Sequence, residues 1–547
     1  MGTVARYSPK AIAEYVQKGY WTEQLTVDFW EQNAIARPSQ EAIVDSQFRL
    51  TWSESVAMVH RLASMLLQLG LKKDSALICQ LFNSAAMTLF RLACEKAGVL
   101  AVIVSSKFQE TELGAVLSAT QAAGAVFPPA YGNYDFHRVY EKLQKSHPHL
   151  KHLFVADQDA PPGAHALYKI FLTLPDGSLK AEGLNRQTFT PFEFTEITTT
   201  SGSTGTPKCA EWTACARLCT ARQYIRRFEL TAEDVIAAVS PAISGSAETL
   251  IHRTPAQVGA KTVMLEHFTP EETLSIIERE RVTAIGAVPT HLVRLLSYPH
   301  LKKHNISSLR FILVSGGLLP YHLGLEAEEK LGCKILQGYG GMDVGAVASG
   351  SLSDPREARL NSVGKILDGN RVILLDPQSG QTIEGGKPGI VTVDGPHCVG
   401  GYFRNPEATR EAQTGGRFNM GDLGILDGEG FLYLTGRVKD IIIRGGQTIY
   451  PKEIEELLVQ HRKVLEVALV RMSDAEMGER ACAFVVPKAG ETFTFEEMTS
   501  FFKERQIAHF KIPERLEVVS ELPLVPGGNK VNKRELEDEL KSRLGTG

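Results

Sequence analysis

Short apolar runs alternate with amphipathic segments over much of the chain, and this alternation constrains the fold more than any other feature. Residues 76–81 and 101–104 are apolar, and between them residues 87–97 have the apolar spacing of a helix. The rhythm recurs at later apolar runs over residues 235–239, 262–265, 282–288 and 309–314. Parallel strands need crossover segments of this kind, so the pattern predicts an α/β fold with parallel sheets covered by helices.

The chain is 547 residues long, which is too long for one ordinary hydrophobic core. The pattern of apolar runs and turn residues changes at two places along it. After about residue 366, short strands separated by Gly, Pro, Asp and Asn indicate a β-rich subdomain that closes the large lobe. From residue 439 a new α+β unit begins. Its predicted elements are helices over residues 451–460, 495–505 and 533–543 and strands over residues 464–471 and 481–486.

Residues 198–208 read Thr-Thr-Thr-Ser-Gly-Ser-Thr-Gly-Thr-Pro-Lys, which suits a phosphate-binding loop. Glycines let backbone N–H groups converge on an anion, hydroxyls add neutral donors, and the lysine adds a positive charge. A Walker loop is excluded, because Pro207 precedes Lys208 and Cys209 follows it. The remaining alternative is a flexible Ser/Thr/Gly linker. The predicted phosphate-binding residues are Thr200, Ser201, Gly202, Ser203, Thr204, Gly205 and Lys208.

Charge and composition argue against several other classes of protein. Charged residues make up 22% of the chain and nearly cancel to a net charge of −4, which argues against nucleic-acid binding and against a polybasic membrane binder. No apolar run approaches the length of a bilayer span, and the first residues lack a signal-peptide core, so we expect a cytoplasmic protein. The eight cysteines include no Cys-x-x-Cys pair and indicate neither a zinc site nor a disulfide framework.

Further motifs follow the loop in a fixed order. They are Ser315-Gly316-Gly317, residues 337–343, Gly421-Asp422, residues 436–440, Arg444-Gly445-Gly446 and Lys530. The series resembles the adenylate-forming superfamily over essentially the whole chain, in its acyl-CoA synthetase and aryl-acid AMP ligase branch. The resemblance implies a large adenylate-binding N-terminal domain over residues 1–436 and a small mobile α+β C-terminal domain over residues 437–547.

The same resemblance implies that the protein uses ATP to turn a carboxylic acid into an acyl adenylate and then passes the acyl group to CoA. Residues implied to bind the nucleotide, besides those of the loop, are Ser315, Gly316, Gly317, Gly338, Tyr339, Gly340, Asp422 and Arg437. Tyr339 would stack on adenine and Asp422 would accept the ribose hydroxyls. Lys208 and Lys530 would be catalytic, and Asp343 would hold Mg²⁺ and serve catalysis through it.

Transfer to CoA is implied to involve a hinge at Lys439 and a passage for the pantetheine arm at Gly445 and Gly446. Without the resemblance, these two glycines could equally form a plain hairpin turn. The chain also departs from the family pattern. Met342-Asp343 stands where the family has Thr-Glu, and Asn529 replaces the usual glycine before Lys530, so that Lys533 is the competing lysine.

Substrate identity rests on three residues implied to line the acyl pocket. Ser244 and Gly245 replace the His-Asn pair of dihydroxybenzoate ligases, and Gly341 leaves room at the floor of the pocket. A catechol would lose its polar partner there, so we expect an aromatic or alicyclic acid or a medium-chain fatty acid, with CoA as acceptor. Two alternatives stay open: a ligase that loads a carrier protein, and a non-catalytic adenylate-binding protein. A homodimer is one option for its assembly.

Overall fold

The computed structural model describes residues 7–173, 188–200, 207–241, 243, 245–383, 386–445, 447–474, 476–524 and 531–544. The chain forms two compact units, one of residues 1–372 with 393–418 and one of residues 373–392 with 419–547. None of the helices within the described ranges combines the length and apolar character that crossing a bilayer requires. The division into residues 1–436 and a mobile domain of residues 437–547 stays a prediction.

Two mainly parallel sheets form the first unit and confirm the α/β prediction. In the seven-stranded sheet the edge strand Lys208–Thr213 is antiparallel to its neighbour Phe194–Thr200, and every other neighbouring pair is parallel. Its strands, in spatial order, are Lys208–Thr213, Phe194–Thr200, Leu100–Ile103, Ala76–Cys79, Gly124–Phe127, His152–Val155 and Ala164–Ala166.

The nine-stranded sheet is parallel in its centre and antiparallel at both edges. Its strands, in spatial order, are Lys365–Ile366, Gly345–Ser349, Lys334–Gly341, Phe311–Val314, Ala284–Ala287, Val235–Ala238, Lys261–Met264, Glu41–Val44 and Arg49–Thr51. Successive side chains of its strands enter different cores, as the pleat requires. Ile236 and Ala238 pack in the core shared with the seven-stranded sheet, whereas Ala237 packs in a second core.

Local sequence explains how the predicted βαβ unit forms. Strands Ala76–Cys79 and Leu100–Ile103 are buried throughout, as expected for parallel strands covered on both faces. The helix Ala85–Ala97 between them begins where the Ser84 side chain accepts a hydrogen bond from Met87 N. It ends at Gly98, whose φ of 69° gives the left-handed cap that glycine adopts without strain.

The remaining elements of the first unit are mostly helices that cover the two sheets. They are Pro9–Gln17, Thr26–Ala36, Trp52–Gln68, Glu110–Thr120, Phe136–Ser146, Leu167–Leu172, Ala214–Arg227, Gly245–Glu248, Thr254–Val258, Pro270–Glu280, Pro289–Leu296, Tyr321–Leu331, Arg356–Asn361 and Pro406–Glu411. A π-helical turn, Thr249–Arg253, joins two of these helices, and a 3₁₀ turn spans Leu301–Lys303. A small hairpin pairs Ala130–Tyr131 with Tyr134–Asp135.

The part of the second unit from residue 439 onward combines helices and strands, as the α+β prediction for that segment states. The short strand Gln413–Thr414 belongs to the first unit. One sheet of the second unit is built mainly from its own residues and contains Arg371–Leu375, Gly389–Asp394, Arg417–Leu426 and Leu432–Arg437. The other contains Gln447–Ile449, Ile442–Arg444, Gly478–Pro487, Val464–Asp474 and Arg515–Val518. Its helices are Pro451–Leu458, Phe495–Glu504 and Lys533–Leu544, with 3₁₀ turns at Val438–Asp440 and His509–Lys511.

Five charged side chains are buried together in the first unit, and we call them the buried ionic cluster. They are Arg91, Glu196, Arg217, Glu248 and Arg253. Each glutamate binds more than one arginine, at N–O distances between 2.5 and 3.1 Å. Burial opposes ionisation of Glu248, but the three arginines hold the pKa of its carboxyl well below the ordinary value, so Glu248 is charged at neutral pH. Sequence patterns gave no sign of the cluster, since its members come from four distant segments.

Glu95 lies close to this cluster but has no arginine bound to it in the described contacts. Its Oε2 accepts a hydrogen bond of 2.8 Å from Val27 N. Burial raises the pKa of the Glu95 carboxyl from 4.5 to about 7. The charged form of Glu95 is therefore disfavoured in the folded state. The contribution of Glu95 to the free energy of unfolding is fully present below pH 4.5 and is lost as the pH rises through 7.

Replacing Glu95 with Gln should stabilise the protein at pH 8 and leave its stability near pH 5 little changed. The amide keeps an acceptor for Val27 N and removes a charge whose burial costs at most about 3 kcal/mol. Thermal unfolding midpoints of the variant and the parent, measured across this pH range, test the expectation.

Glu280→Gln is the matched control with the opposite sign. Ion pairs with Arg49 and Lys261 lower the pKa of Glu280 to about 2, so its contribution is present above pH 4.5 and lost as the pH falls through 2. This variant should be less stable than the parent at pH 8. A Glu95→Gln variant that is also less stable at pH 8 would contradict the buried, raised pKa.

Candidate functional site

The two strands that flank the predicted phosphate loop form an antiparallel pair, which we call the phosphate hairpin. Strand Phe194–Thr200 pairs with strand Lys208–Thr213, and Thr200 lies opposite Lys208. The ends of the predicted loop therefore meet at one place in the sheet. Ser201, Gly202, Ser203, Thr204 and Gly205 lie outside the described residues, as does the side chain of Thr200.

A segment from a distant part of the chain borders the outer strand of the hairpin. Glu211 N donates to Gly401 O at 2.9 Å and Phe403 N donates to Cys209 O at 2.7 Å. This backbone pairing places Tyr402 beside Lys208, whose Nζ lies 4.9 Å from the centre of the tyrosine ring. At this distance the ring face attracts the ammonium group.

Tyr402 also binds the predicted metal ligand. Its hydroxyl donates a hydrogen bond of 2.6 Å to Asp343 Oδ2. Burial, together with the carboxylate of Asp343, raises the pKa of Tyr402 well above its usual value, so the hydroxyl remains a donor. Lys208 and Asp343, 135 positions apart in the sequence numbering, are thus joined through one aromatic side chain. Sequence reasoning missed Tyr402. The one local signal is that it follows two glycines, and many ordinary turns have the same pattern.

Trp212 is a second residue that sequence reasoning missed. Its indole Nε1 lies 2.9 Å from Thr198 Oγ1 and 3.2 Å from Met342 O, and it donates to both. Thr198 Oγ1 in turn donates to Met342 O at 3.2 Å. The phosphate hairpin is therefore bonded to the turn that carries Asp343.

Residues predicted to form the adenine slot follow two neighbouring parallel strands. Ser315, Gly316 and Gly317 come directly after strand Phe311–Val314, and Tyr339 lies near the end of the paired strand Lys334–Gly341. Because carboxyl ends of parallel strands meet at one edge of a sheet, the structure brings these residues to the same edge. Tyr339 is buried, with 8% of its surface exposed.

Glycines near Tyr339 have different reasons to be glycine. A Cβ at Gly340 would lie 2.3 Å from Gly345 O, so the close hairpin excludes any side chain there. Gly338 lies on the same strand, opposite Ser349. Gly316 has a φ of 78°, and a Cβ at Gly317 would lie 3.4 Å from Pro289. Backbone geometry therefore requires glycine at 316 and 340.

The predicted acyl-pocket residues are only partly described. Ser244 lies outside the described residues, and Gly245 begins the short helix Gly245–Glu248. That helix packs against strands Lys334–Gly341 and Ala284–Ala287. Gly341 ends the first of these strands, and a Cβ there would lie 3.3 Å from Asp343 Oδ1. The helix that begins at Gly245 and the strand of Gly341 are thus neighbours, and the acyl pocket stays a prediction.

Asp422 and Arg437 lie in the second unit and bind each other. They are opposite residues of strands Arg417–Leu426 and Leu432–Arg437, and Arg437 Nε lies 2.9 Å from Asp422 Oδ1. Asp422 is buried, whereas almost half of the Arg437 side chain is exposed. Lys208 and Tyr339 belong to the first unit. The roles of Asp422 and Arg437 in binding nucleotide stay predictions.

Residues predicted to serve the second half-reaction also lie in the second unit. Lys439 stands in the 3₁₀ turn Val438–Asp440, and its carbonyl oxygen accepts a hydrogen bond from Arg471. Gly445 follows strand Ile442–Arg444 in a hairpin with a φ of 53°, and its N–H donates to Met477 O at 2.8 Å. Gly446 lies outside the described residues. The hinge and the passage for CoA stay predictions.

Lys530 lies outside the described residues, but its competitor does not. Lys533 begins helix Lys533–Leu544, and its Nζ lies 2.6 Å from Glu455 Oε1 within the second unit. A lysine held by a glutamate is a poorer candidate for a cation that acts on phosphate. Leu524 and Val531 pair as an isolated bridge, so the segment that contains Lys530 starts and ends at adjacent points.

All eight cysteines are buried and free. Cys209 directly follows Lys208, and burial raises the pKa of its thiol from 9.0 to about 11. Burial likewise raises the pKa of Cys79 and Cys215 to about 12. These thiols therefore remain protonated at neutral pH.

Asp343 has the chemistry of a magnesium ligand. Mg²⁺ in ATP-using enzymes is usually held by one or two carboxylates together with substrate phosphates and water. Tyr402 engages one oxygen of the Asp343 carboxylate, and Lys208 Nζ lies 4.9 Å from the centre of the same tyrosine ring. In the described part of the chain no three His, Cys, Asp or Glu side chains gather into a metal-binding group. The donor set fits a metal that arrives with a phosphate ligand.

Family models and individual relatives both match this chain over most of its length. The family model for the AMP-binding enzyme matches residues 30–403, and that for the AMP-binding enzyme C-terminal domain matches residues 453–529. The chain is 31% identical to the medium-chain fatty-acid–CoA ligase of Escherichia coli K12, over 100% of this chain and 95% of the relative. It is 28% identical to the 2-hydroxy-7-methoxy-5-methyl-1-naphthoate–CoA ligase of Streptomyces carzinostaticus, over 96% and 94%.

Solved structures share the fold. The amide bond synthetase McbA from Marinactinospora thermotolerans superposes with a TM-score of 0.82 at 25% identity, over 94% of this chain and 99% of that one. The anthranilate CoA ligase AuaEII superposes with a TM-score of 0.83 at 22% identity, over 96% and 98%. The chain therefore belongs to the AMP-binding enzyme family. Within the adenylate-forming superfamily it belongs to the acyl-CoA synthetase branch, and the members of that branch are AMP-forming acid–thiol ligases.

Proposed function

We propose that the protein joins a carboxylic acid to CoA in two steps that consume ATP. In the first step a carboxylate oxygen bonds to the α-phosphorus, the bond from that phosphorus to the bridging oxygen breaks, and pyrophosphate leaves. In the second step the CoA sulfur bonds to the acyl carbon, the bond to the AMP oxygen breaks, and the thiol proton passes to water. The products are acyl-CoA, AMP and pyrophosphate.

The connection from Lys208 through Tyr402 to Asp343 carries this proposal. Substitution at phosphorus is catalysed mainly by positioning the phosphates and by stabilising the charge on their oxygens. Lys208 supplies a cation at the end of the phosphate hairpin, and Tyr402 keeps the Asp343 carboxylate oriented next to it. Mg²⁺, when bound with ATP at Asp343, supplies further positive charge.

The other residues predicted from sequence take complementary roles in the proposal. The nucleotide-binding residues are Thr200, Ser201, Gly202, Ser203, Thr204, Gly205, Ser315, Gly316, Gly317, Gly338, Tyr339, Gly340, Asp422 and Arg437. Lys530 stabilises the transition state of adenylation, Lys439 is the hinge, and Gly445 and Gly446 admit CoA. Ion pairing of Lys533 with Glu455 supports the choice of Lys530 as the catalytic lysine.

For the acid, we favour a medium-chain fatty acid, with aromatic and alicyclic acids as the second class. Names of relatives support both classes, since one is a medium-chain fatty-acid–CoA ligase and another a naphthoate–CoA ligase. The family resemblance puts Gly341 at the floor of the acyl pocket, where a glycine leaves room for the larger acids, and its strand packs against the helix that begins at Gly245. A pocket without a paired hydroxyl partner discriminates weakly between acids.

A panel of acids should therefore show AMP formation with several substrates. Hexanoate, octanoate, decanoate, benzoate, cyclohexanecarboxylate and 2,3-dihydroxybenzoate are incubated with ATP, Mg²⁺ and CoA, and thioester and AMP are measured. We expect octanoate to be used efficiently and dihydroxybenzoate poorly. Pyrophosphate exchange without thioester formation would favour a carrier-protein acceptor, and ATP binding without exchange would identify a non-catalytic protein.

Replacing Lys530 with Ala should reduce acyl-adenylate formation by about a hundredfold to a thousandfold, as loss of a transition-state donor typically does. Thioester formation from supplied acyl adenylate should persist, because that step does not involve the triphosphate. Lys533→Ala is the matched control and should change pyrophosphate exchange by only a few-fold. The reverse ranking of the two variants would show that Lys533 is the catalytic lysine.

Replacing Tyr402 with Phe should lower the rate of adenylation by about tenfold to a hundredfold, since a hydrogen bond to a carboxylate is lost. The phenyl ring still packs against Lys208, so the change isolates the contact with Asp343. Tyr140→Phe is the control, because Tyr140 is buried and donates to Gln80 Oε1 at 2.9 Å. Similar losses in both variants would contradict the role given to Tyr402.

A further inference from the structure

The turn that carries Asp343 is held by hydrogen bonds to its backbone and by the bond from the Tyr402 hydroxyl to the Asp343 side chain. It joins strands Lys334–Gly341 and Gly345–Ser349, and glycines stand on both sides of it at 341 and 345. Val344 N donates to Gly341 O at 3.3 Å, which closes the turn on itself. Glycine-flanked turns of this kind have wide conformational freedom, so the position of Asp343 depends on contacts from elsewhere.

Trp212 supplies such a contact from the neighbouring sheet. Its single indole N–H points between Met342 O at 3.2 Å and Thr198 Oγ1 at 2.9 Å. Thr198 Oγ1 donates to the same carbonyl at 3.2 Å. Met342 O therefore receives two donors from the phosphate hairpin. Trp212 and Thr198 are both almost fully buried, with 2% and 1% exposed, so water does not compete for these bonds.

The buried ionic cluster contacts the Trp212 ring as well, through Arg217. The guanidinium carbon of Arg217 lies 3.5 Å from the centre of the Trp212 ring. Arg217 Nη1 in turn binds Glu248 Oε2 at 3.1 Å, and Glu248 also binds Arg91 and Arg253. A planar guanidinium stacked on an indole holds the ring in one orientation.

Glu196 links the same cluster to the phosphate hairpin. It lies on strand Phe194–Thr200 directly opposite Trp212, and it binds Arg91 Nε at 2.6 Å. It also binds Arg253, which belongs to the π-helical turn Thr249–Arg253. The hairpin, the indole and the segment that follows the acyl pocket thus share one set of buried charges. Single π-helical turns of this kind recur at functional sites.

We infer that Trp212 is a positioning residue for adenylation, which sets the Asp343 carboxylate against the phosphate hairpin through the main chain of Met342. The inference rests on the proposed function, because it concerns the metal and phosphate side of that reaction. It adds a residue that touches neither substrate. It also explains how a turn with Met342 in place of a hydroxyl side chain is held: the chain uses the backbone carbonyl of Met342 instead.

The test uses Trp212→Phe in the full-length protein. Phenylalanine can still stack on Arg217 but has no N–H, so only the bonds to Met342 and Thr198 are lost. We expect the rate of ATP–pyrophosphate exchange to fall by about fivefold to thirtyfold, which corresponds to the loss of one buried N–H donor that two acceptors share. The Mg²⁺ concentration for half-maximal exchange should rise. Thioester formation from supplied acyl adenylate should be unchanged, since it requires neither Mg²⁺ nor pyrophosphate.

Two buried tryptophans of the first unit provide matched controls. Trp21 Nε1 donates to Pro396 O at 2.9 Å, so Trp21→Phe loses an equivalent bond at another place. Trp30 is equally buried, and within the described residues its indole nitrogen has no hydrogen-bond partner, so Trp30→Phe changes packing alone. Both controls should leave the Mg²⁺ requirement unchanged. An equal effect of Trp21→Phe would overturn the inference, and so would equal losses in both half-reactions of Trp212→Phe.

Thr198→Val provides a second variant should Trp212→Phe fold poorly. It removes the other donor to Met342 O and retains the shape of the side chain. We expect the same rise in the Mg²⁺ requirement, and the double variant should lose less than the product of the two single losses, because both act on one carbonyl. Full multiplicativity would contradict a shared target.

Calorimetric binding of ATP, with and without Mg²⁺, separates this inference from the proposed function. We expect Mg²⁺ to strengthen ATP binding to the parent protein and to strengthen it several-fold less in Trp212→Phe, whether or not the protein forms thioesters. A parent that binds MgATP but exchanges no pyrophosphate with any acid would overturn the proposed function alone. An undiminished effect of Mg²⁺ in Trp212→Phe would overturn the positioning role alone.

Discussion

The outer strand of the phosphate hairpin, Lys208–Thr213, has backbone partners on both of its sides. One partner is strand Phe194–Thr200, and the other is the segment around Tyr402. This double pairing sets the position of Lys208 and brings Tyr402 and Asp343 to it. A lysine at the end of an unpaired loop would be solvated and mobile, whereas here its neighbours are fixed by hydrogen bonds between main chains. Catalysis by positioning depends on such rigidity, because transition-state charge is stabilised only by groups already in place.

Burying five charged side chains behind this hairpin is costly, and stability alone does not account for it. Taking ion pairs out of water costs several kcal/mol per ion, and apolar packing often does as well or better. Charges with fixed hydrogen-bond geometry, however, orient their partners in a way that apolar side chains do not. Arg217 illustrates this point, because its guanidinium carbon lies 3.5 Å from the centre of the Trp212 ring while the same group binds Glu248. Removing Arg217 alone would leave Glu248 with fewer partners, so we expect the cluster to tolerate joint changes better than single ones.

Local patterns were enough to predict several of the strands and helices, because the signals for a buried strand or a capped helix lie within a few residues. Helix Ala85–Ala97 and strand Phe311–Val314 are examples, and the order of motifs identified the family. Lys208, Asp343 and Tyr339 were found as members of those motifs. Tyr402 and Trp212 were not, because what singles them out is a contact with a residue far along the chain. Glu196 and Glu248 were missed for the same reason: a charge in an apolar pattern does not indicate which distant charge neutralises it.

Burial of every thiol has a consequence for an enzyme that makes mixed anhydrides. An acyl adenylate reacts with any accessible thiolate, so a free cysteine at the active site would be acylated by the protein's own intermediate. Cys209 directly follows Lys208, so its position in the sequence puts its thiol next to the predicted site of the acyl adenylate. Its buried, protonated sulfur is a poor nucleophile. The only competent sulfur that meets the intermediate is then the one delivered from outside, and self-modification is avoided without a separate protective device.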